Sequence, residues 1–132
     1  MKVMELFEEE LLQEMDNIAK EDTGLCTSVW LGPEGRQHGP RIKVSNSKRR
    51  HDNSDCFSVT ISKNPKVCKD HICKLSTSEK LEIFSWIKLN FKELMILSDL
   101  YKSGKLATTI TDIHGVVHPR TVEDIILNLR KI

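Results

Sequence analysis

The sequence predicts a single α+β domain, in which a small antiparallel sheet of three to four strands packs against a long central helix. Two observations predict this class. Apolar and polar residues alternate in short stretches between positions 25 and 74, which is typical of strands, whereas apolar residues recur at spacings of three and four after position 76. The chain has 132 residues, which suffices for one core and excludes a large two-domain enzyme.

Residues 1–20 are predicted to form an amphipathic N-terminal helix. Its apolar positions have helical spacing: Met4, Phe7, Leu11, Met15 and Ile18. Acidic residues from Glu8 to Glu14 cover the remaining surface. An acidic start is unlike a signal peptide, and no apolar run approaches the ~18 residues that a membrane helix needs. We therefore expect a cytoplasmic protein that does not enter a membrane.

The sheet is predicted within residues 25–74. Four stretches have strand-like patterns: 25–31, 41–45, 56–62 and 66–74. A Gly-Pro-Glu-Gly turn, the polar loop 46–55 and an Asn-Pro turn separate them, which favours an antiparallel meander. In 41–45, alternation places Ile42 and Val44 toward the core and Arg41 and Lys43 toward solvent.

The second half of the chain is predicted to be mainly helical. Ser76 and Glu79 form a capping-box pattern that begins a central helix over 76–103, and Gly104 is a natural stop after it. Its predicted stripe contains Leu81, Phe84, Ile87, Phe91, Leu94 and Leu97. Residues 106–113 fit either a short strand or an irregular crossing. Pro119 and Thr121 mark the start of a C-terminal helix over 120–131, with Val122, Ile125, Ile126 and Leu129 on one face.

Charge is segregated along a chain whose formal net charge is only +1. Residues 1–34 carry a net charge of −7, residues 35–74 a net charge of +7, and residues 75–132 a net charge of +1. The basic stretch is either a footprint for a polyanion or the internal partner of the acidic N-terminal helix.

The stretch from 38 to 100 resembles an uncharacterised family of short bacterial and phage-borne proteins. Residues 38–44 read HGPRIKV and residues 86–95 read WIKLNFKELM. In that family a Pro-His-apolar-His-Val strand follows a His-x-Pro turn, and a later helix carries a central Trp and then Glu-Leu-Leu. Arg41 and Lys43 stand where the family has its two strand histidines, so no metal or acid–base role of those histidines carries over. The resemblance, through mobile-element and toxin–antitoxin neighbourhoods, implies a regulatory or interaction protein.

The first candidate site is a basic strand and loop. We predict that its residues contact a macromolecular partner: Arg36, His38, Arg41, Lys43, Lys48, Arg49 and Arg50, with His51 beside them. Arginine forks bind phosphate or carboxylate groups in a bidentate manner. The chain has only seven aromatic residues, most of them on apolar stripes, which disfavours base stacking. The alternative is a solvated loop and outer sheet face.

The cysteines suggest a weaker candidate. With no export signal we interpret Cys26, Cys56, Cys68 and Cys73 as reduced, mostly buried thiols. Cys56, Cys68, His71 and Cys73 could converge on a metal, but the Cys-x4-Cys spacing puts the last two cysteines on opposite faces of a strand. We therefore expect no metal and no cofactor.

A third candidate lies in the turn that contains Asp112, His114 and His118. The imidazoles could lie beside the carboxylate, but no nucleophile motif accompanies them, and Asp112 is a typical turn-ordering residue.

The hypothesis that follows is a small non-enzymatic interaction protein that binds a macromolecular partner through its basic sheet face and loop. Nucleic-acid binding by the same residues is the alternative. A small hydrolase or nuclease using His38, His51 or His114 ranks third. Open sheet edges also allow a homodimer.

Overall fold

A computed structural model describes residues 16–31, 39–49, 52, 54–69 and 72–132. The strands are β1 (Asp16–Ile18), β2 (Val29–Leu31), β3 (Arg41–Ser45), β4 (Cys56–Thr60), β5 (Ala107–Thr111) and β6 (Val117–Thr121). The helices are α1 (Lys20–Thr23), α2 (Thr77–Leu89), α3 (Phe91–Ser103) and α4 (Val122–Leu127). The predicted α+β class with a four-stranded antiparallel sheet is confirmed.

The main sheet is a meander in which β1, β2, β3 and β4 pair in chain order, each antiparallel to the next. Residues opposite each other in such a ladder share a face. The register Ile18↔Val29, Val29↔Val44 and Val44↔Phe57 therefore builds one continuous apolar face. All its apolar side chains are buried: Ile18, Val29, Leu31, Ile42, Val44, Phe57 and Val59.

The sheet differs from the sequence prediction in one strand that is gained and one that is not formed. Asp16–Ile18 lies inside the predicted helix 1–20 but is extended, because it hydrogen-bonds along β2 and so gains a ladder that local helical spacing does not reveal. The rest of that predicted helix, with the acidic face from Glu8 to Glu14, lies outside the described residues. The predicted strand 66–74 is reduced to a bridge between Val67 and Val59 at the edge of β4.

The apolar face joins the helices in one core. α2 contributes Ile83, Trp86 and Ile87, and α3 contributes Leu94, Leu97 and Leu100. Val122 and Ile125 from α4 complete the cluster, while Ile126 and Leu129 pack against it. The buried stripe is offset from the predicted one: Leu81 is 54% exposed, whereas Trp86 is fully buried.

The predicted central helix 76–103 is divided at Asn90, where φ is −108° and ψ is 18°. Its predicted ends are correct, because Ser76 and Glu79 form the capping box and Gly104 closes α3 in the left-handed conformation. The break has a tertiary cause. The buried Asn90 amide donates to the Trp86 and Arg130 carbonyl oxygens, each at 3.0 Å, and its Oδ1 accepts from the Arg130 N–H at 2.6 Å. At Asn90 the continuous helix is therefore interrupted, and a hydrogen-bonded link to the C-terminal segment is formed.

Strands β5 and β6 form a separate two-stranded sheet. This places Pro119 in a strand rather than at the start of the C-terminal helix, which begins after Thr121. The predicted span 120–131 is therefore too long, since α4 ends at Leu127. The Thr121 hydroxyl and the Asp124 carboxylate form a second capping box that fixes this boundary.

We expect Asn90→Ala to lower the free energy of unfolding by about 1–3 kcal/mol, because it removes the two hydrogen bonds by which this buried side chain holds the Arg130 backbone. Urea unfolding measures the change. Asn128→Ala is the matched control, since its amide donates only to the exposed Asp124 carbonyl of its own helix, and it should cost less than about 1 kcal/mol. Equal losses would contradict the role of Asn90.

Two helix-ending glycines give a second prediction. Gly24 and Gly104 both have positive φ, but a Cβ at Gly24 would overlap the Ile132 carbonyl oxygen, whereas nothing lies near a Cβ at Gly104. Gly104→Ala should therefore cost about 1 kcal/mol from backbone conformation alone. Gly24→Ala should cost clearly more in the same urea experiment. A smaller loss of unfolding free energy for Gly24→Ala than for Gly104→Ala would contradict this prediction. It would show that the C-terminal segment moves away from the added methyl group at little cost.

Candidate functional site

The basic loop is defined here as residues 46–55, which connect β3 to β4. Lys48 ties it to the start of α2, because its Nζ lies 2.7 Å from the Glu79 Oε2. Thr27 donates to the Ser47 carbonyl oxygen at 2.7 Å, and the Ser45 hydroxyl lies 2.6 Å from the Asp52 carbonyl oxygen. The buried side chains of Thr27 and Ser45 therefore hydrogen-bond to backbone carbonyl groups of the loop.

Glu79 connects the loop, the helix and a thiol. Its Oε1 accepts from the Ser76 N–H at 3.0 Å while its other oxygen pairs with Lys48. The Lys48 hydrogen bond and the capping hydrogen bond hold the pKa of the Glu79 carboxyl at about 2. Burial, with a hydrogen bond to Glu79, raises the pKa of the Cys26 thiol to about 11, so this thiol is protonated at neutral pH.

The base of the basic loop, at its first and last residues, is tied to the segment that precedes α2. The Asn46 amide donates to the Ile72 carbonyl oxygen at 2.9 Å, and its Oδ1 accepts from the Lys74 N–H at 2.7 Å. The Lys74 ammonium lies 2.6 Å from the Asp55 Oδ2. The hydrogen bond from Lys74 lowers the pKa of the Asp55 carboxyl.

The predicted contact residues have different environments. Arg41 is only 9% exposed, which corrects the expectation that it faces solvent. It lies on the second face of the sheet, where Trp30, Ser45 and Ser58 are also buried. Lys43 is half-buried, and Lys48 is partly committed to Glu79, whereas Arg49 is exposed. The predicted contact residues Arg36, His38 and Arg50, together with His51, lie outside the described residues.

The fold places further cations beside this loop that sequence reasoning did not select. Lys63, Lys66 and Lys69 are exposed and recur every third residue after β4. Their segment runs back along the β4 edge, since Thr60 N–H donates to the Lys66 carbonyl and Cys68 N–H donates to the Ser58 carbonyl, both at 2.9 Å. Lys69 therefore lies toward the loop end of β4. The regular lysine spacing in an extended segment was the available sequence signal.

None of the four cysteines is in a disulfide, and all are partly exposed rather than mostly buried. Burial raises the pKa of the Cys56 thiol as it does that of Cys26. Within the described ranges no three His, Cys, Asp or Glu side chains converge as metal ligands would. His71, part of the metal candidate, lies outside those ranges.

The Asp112 carboxylate organises the β5–β6 turn. Its Oδ1 accepts from the His114 and Val116 N–H groups at 2.9 Å each, and its Oδ2 lies 2.8 Å from the His118 Nε2. The hydrogen bond from His118 lowers the pKa of Asp112. Oδ1 of this half-buried carboxylate thus orders the turn, as the turn-ordering alternative predicts, while Oδ2 lies beside the His118 imidazole of β6, as the third candidate expects.

Comparison with known proteins adds no assignment: no family model, curated protein or solved structure matches this chain. None of the helices in the described ranges has the length and apolar character needed to cross a bilayer.

Glu79 gives a prediction with a defined pH dependence. Its folded-state pKa is below the ordinary value of 4.5, so its stabilising effect is complete above about pH 5 and is lost as the pH falls toward 2. Glu79→Gln should lower the melting temperature at pH 7, and the difference from the wild type should shrink below pH 5. Glu82→Gln, on an exposed part of α2, should change the melting temperature little. A pH-independent difference for Glu79→Gln would contradict the ionic role.

Proposed function

We propose that this chain is a non-enzymatic binding module that contacts an acidic macromolecular partner through the basic loop and the neighbouring β4 edge. The observation that carries the proposal is that contacts within the fold hold the described parts of the loop. Glu79 holds Lys48, and Asn46 and Asp55 hold the segment at Lys74. Where such contacts already fix the backbone, less conformational entropy is lost when a partner binds.

The cations available to a partner lie along one path. Arg49 is on the basic loop, Lys69 follows near the loop end of β4, and Lys66 lies farther along that edge. No carboxylate in the described part of the chain forms an ion pair with any of these three, unlike Lys48 and Lys74. Lys66 and Lys69 therefore keep their charge available for an external anion. The Arg49 charge also acts within the fold, because the pKa of the Asp52 carboxyl is lowered chiefly by hydrogen bonds from Ser54 and also by Arg49.

One feature favours an acidic protein surface over a nucleic acid. The described aromatic side chains belong to the core or lie against it, apart from the buried Trp30 on the second sheet face, so stacking platforms are scarce. Nucleic-acid binding by the same cations is the alternative outcome of the experiment below.

The regulatory, mobile-element role implied by the resemblance over 38–100 belongs to this proposal. The resemblance and the proposed binding surface both imply a protein that acts by binding to the surface of a partner. In this role the Asp112–His118 pair contributes to the fold rather than to chemistry, because its carboxylate already serves the turn.

The test is fluorescence anisotropy with labelled polyglutamate, duplex DNA, single-stranded DNA and RNA, at low and near-physiological salt. The variant Arg49→Ala/Lys66→Ala/Lys69→Ala should weaken polyglutamate binding about fivefold or more, since exposed ion pairs each contribute about 0.2–1 kcal/mol. The matched control, Lys88→Ala/Lys92→Ala/Lys102→Ala, removes the same charge from exposed helical positions and should bind as the wild type does.

Equal losses in the two triple variants would mean that only net charge matters, and the proposed surface would be wrong. Duplex DNA or RNA binding that persists near 0.15 M salt and depends on the first triple variant would instead favour the nucleic-acid alternative. Melting curves of both variants should match the wild type, because none of the six side chains is buried.

A further inference from the structure

The β5–β6 hairpin presents two different outer edges. The ladder bonds fall on even-numbered residues, as the Val122 N–H donates to the Leu106 carbonyl at 3.0 Å and the Asp112 N–H donates to the Val116 carbonyl at 2.9 Å. Since hydrogen-bonded and non-hydrogen-bonded pairs alternate, the backbone groups of Ala107, Thr109 and Thr111 point away from β6.

Only one of these edges is complete. Pro119 lies opposite Thr109, so the outer edge of β6 lacks an N–H at its centre. The outer edge of β5 has all its donors and acceptors, and the strand ATTIT contains neither a charge nor a proline. In the described part of the chain β5 pairs with β6 alone. Natural edge strands usually carry a charge, a proline or a bulge that discourages pairing, and β5 has none of these in its sequence.

We propose that a second copy of this chain pairs with the β5 edge, antiparallel and related by a two-fold axis at Thr109. Ala107 of each copy then lies opposite Thr111 of the other, and the two hairpins form one four-stranded sheet. An isolated two-stranded hairpin is marginally stable in water, whereas four strands support one another. Because β5 is uncharged, its self-pairing brings no like charges together.

The same register brings together apolar side chains that are exposed in one copy. The turn of the second hairpin lies beside residues 102–106, and it carries Ile113, which is 96% exposed. Leu106, at the base of the first hairpin, is 83% exposed. A groove of about 570 Å³ opens here between α3 and β5, with Ile96 and Leu100 in its lining. The groove has a mixed lining: Ile96, Leu100 and Pro119 offer apolar contacts to Ile113 of the second copy, and Asp99, Ser103 and Lys105 are polar.

Charge at the same place is mixed. The turn carries the Asp112 carboxylate, and the groove carries Lys105, which can pair with it, as well as Asp99, which cannot. The two-fold axis repeats every contact, so each copy contributes one turn and one groove. A charged peptide strand would find no opposite charge along β5 to pair with. An uncharged strand, such as β5 of a second copy, is therefore favoured.

The test is light scattering after size exclusion, in reductant so that the four free thiols form no cross-links, from about 1 to 200 µM protein. The wild type should move from 15.2 kDa toward twice that mass as concentration rises. Thr109→Pro removes the outward N–H at the axis and should stay monomeric. Ile113→Ser, which leaves the core untouched, should raise the dimer Kd at least about 30-fold because two such side chains lose their contacts.

Leu127→Ser is the matched control: it removes an 81% exposed apolar side chain from α4, outside the proposed interface, and should dimerise as the wild type does. A wild type that stays monomeric at the highest concentration would overturn the proposal. So would a dimer that survives Thr109→Pro and Ile113→Ser, because another surface would then hold it. Circular dichroism verifies that each variant keeps the wild-type fold.

Discussion

The buried amide of Asn90 is the interaction on which the arrangement of the helices depends. It interrupts what would be one helix and holds the Arg130 backbone, so that the chain after α4 returns to the junction between α2 and α3. That return brings the Ile132 N–H to the Thr23 carbonyl at 2.8 Å, beside the glycine that ends α1. One polar side chain thus connects the last residues, the helical layer and the beginning of the sheet. Since an unsatisfied buried amide is costly, this connection also fixes the break at a single residue.

The candidate binding surface likewise depends on a few polar side chains that each make more than one contact. Glu79 completes the capping box of α2 and uses its other oxygen for Lys48, so the helix start and the basic loop share one carboxylate. Asn46, the first residue of the loop, links it to the segment that precedes α2. These contacts explain why the positive charge of residues 35–74 is not all available to a partner. Lys48 and Lys74 neutralise carboxylates within the fold, while Arg49, Lys66 and Lys69 keep exposed positions.

The two sheets differ in how much of their apolar surface is buried. One face of the four-stranded sheet is apolar and fully buried. The other face is partly buried, and Arg41 on it is nearly inaccessible. The hairpin, by contrast, keeps Ile110, Ile113, Val116 and Val117 exposed. Exposed apolar side chains are thus frequent in β5, β6 and their turn, and Ile72, Leu81 and Leu127 are exposed elsewhere. Binding of an acidic partner and pairing of two copies therefore call on different residues, and one can occur without the other.

The sequence by itself determined the features that depend on neighbouring residues. These are the α+β class, the strand 41–45 with Ile42 and Val44 inward, the capping box at Ser76 and the helix stop at Gly104. Each follows from spacing or from a local hydrogen bond. Tertiary structure decided the rest. Asp16–Ile18 is a strand because β2 supplies a ladder, Arg41 is buried because both faces of its strand are covered, and the helix breaks because Arg130 meets Asn90. Such partners lie far apart in the sequence, and no local pattern brings them together.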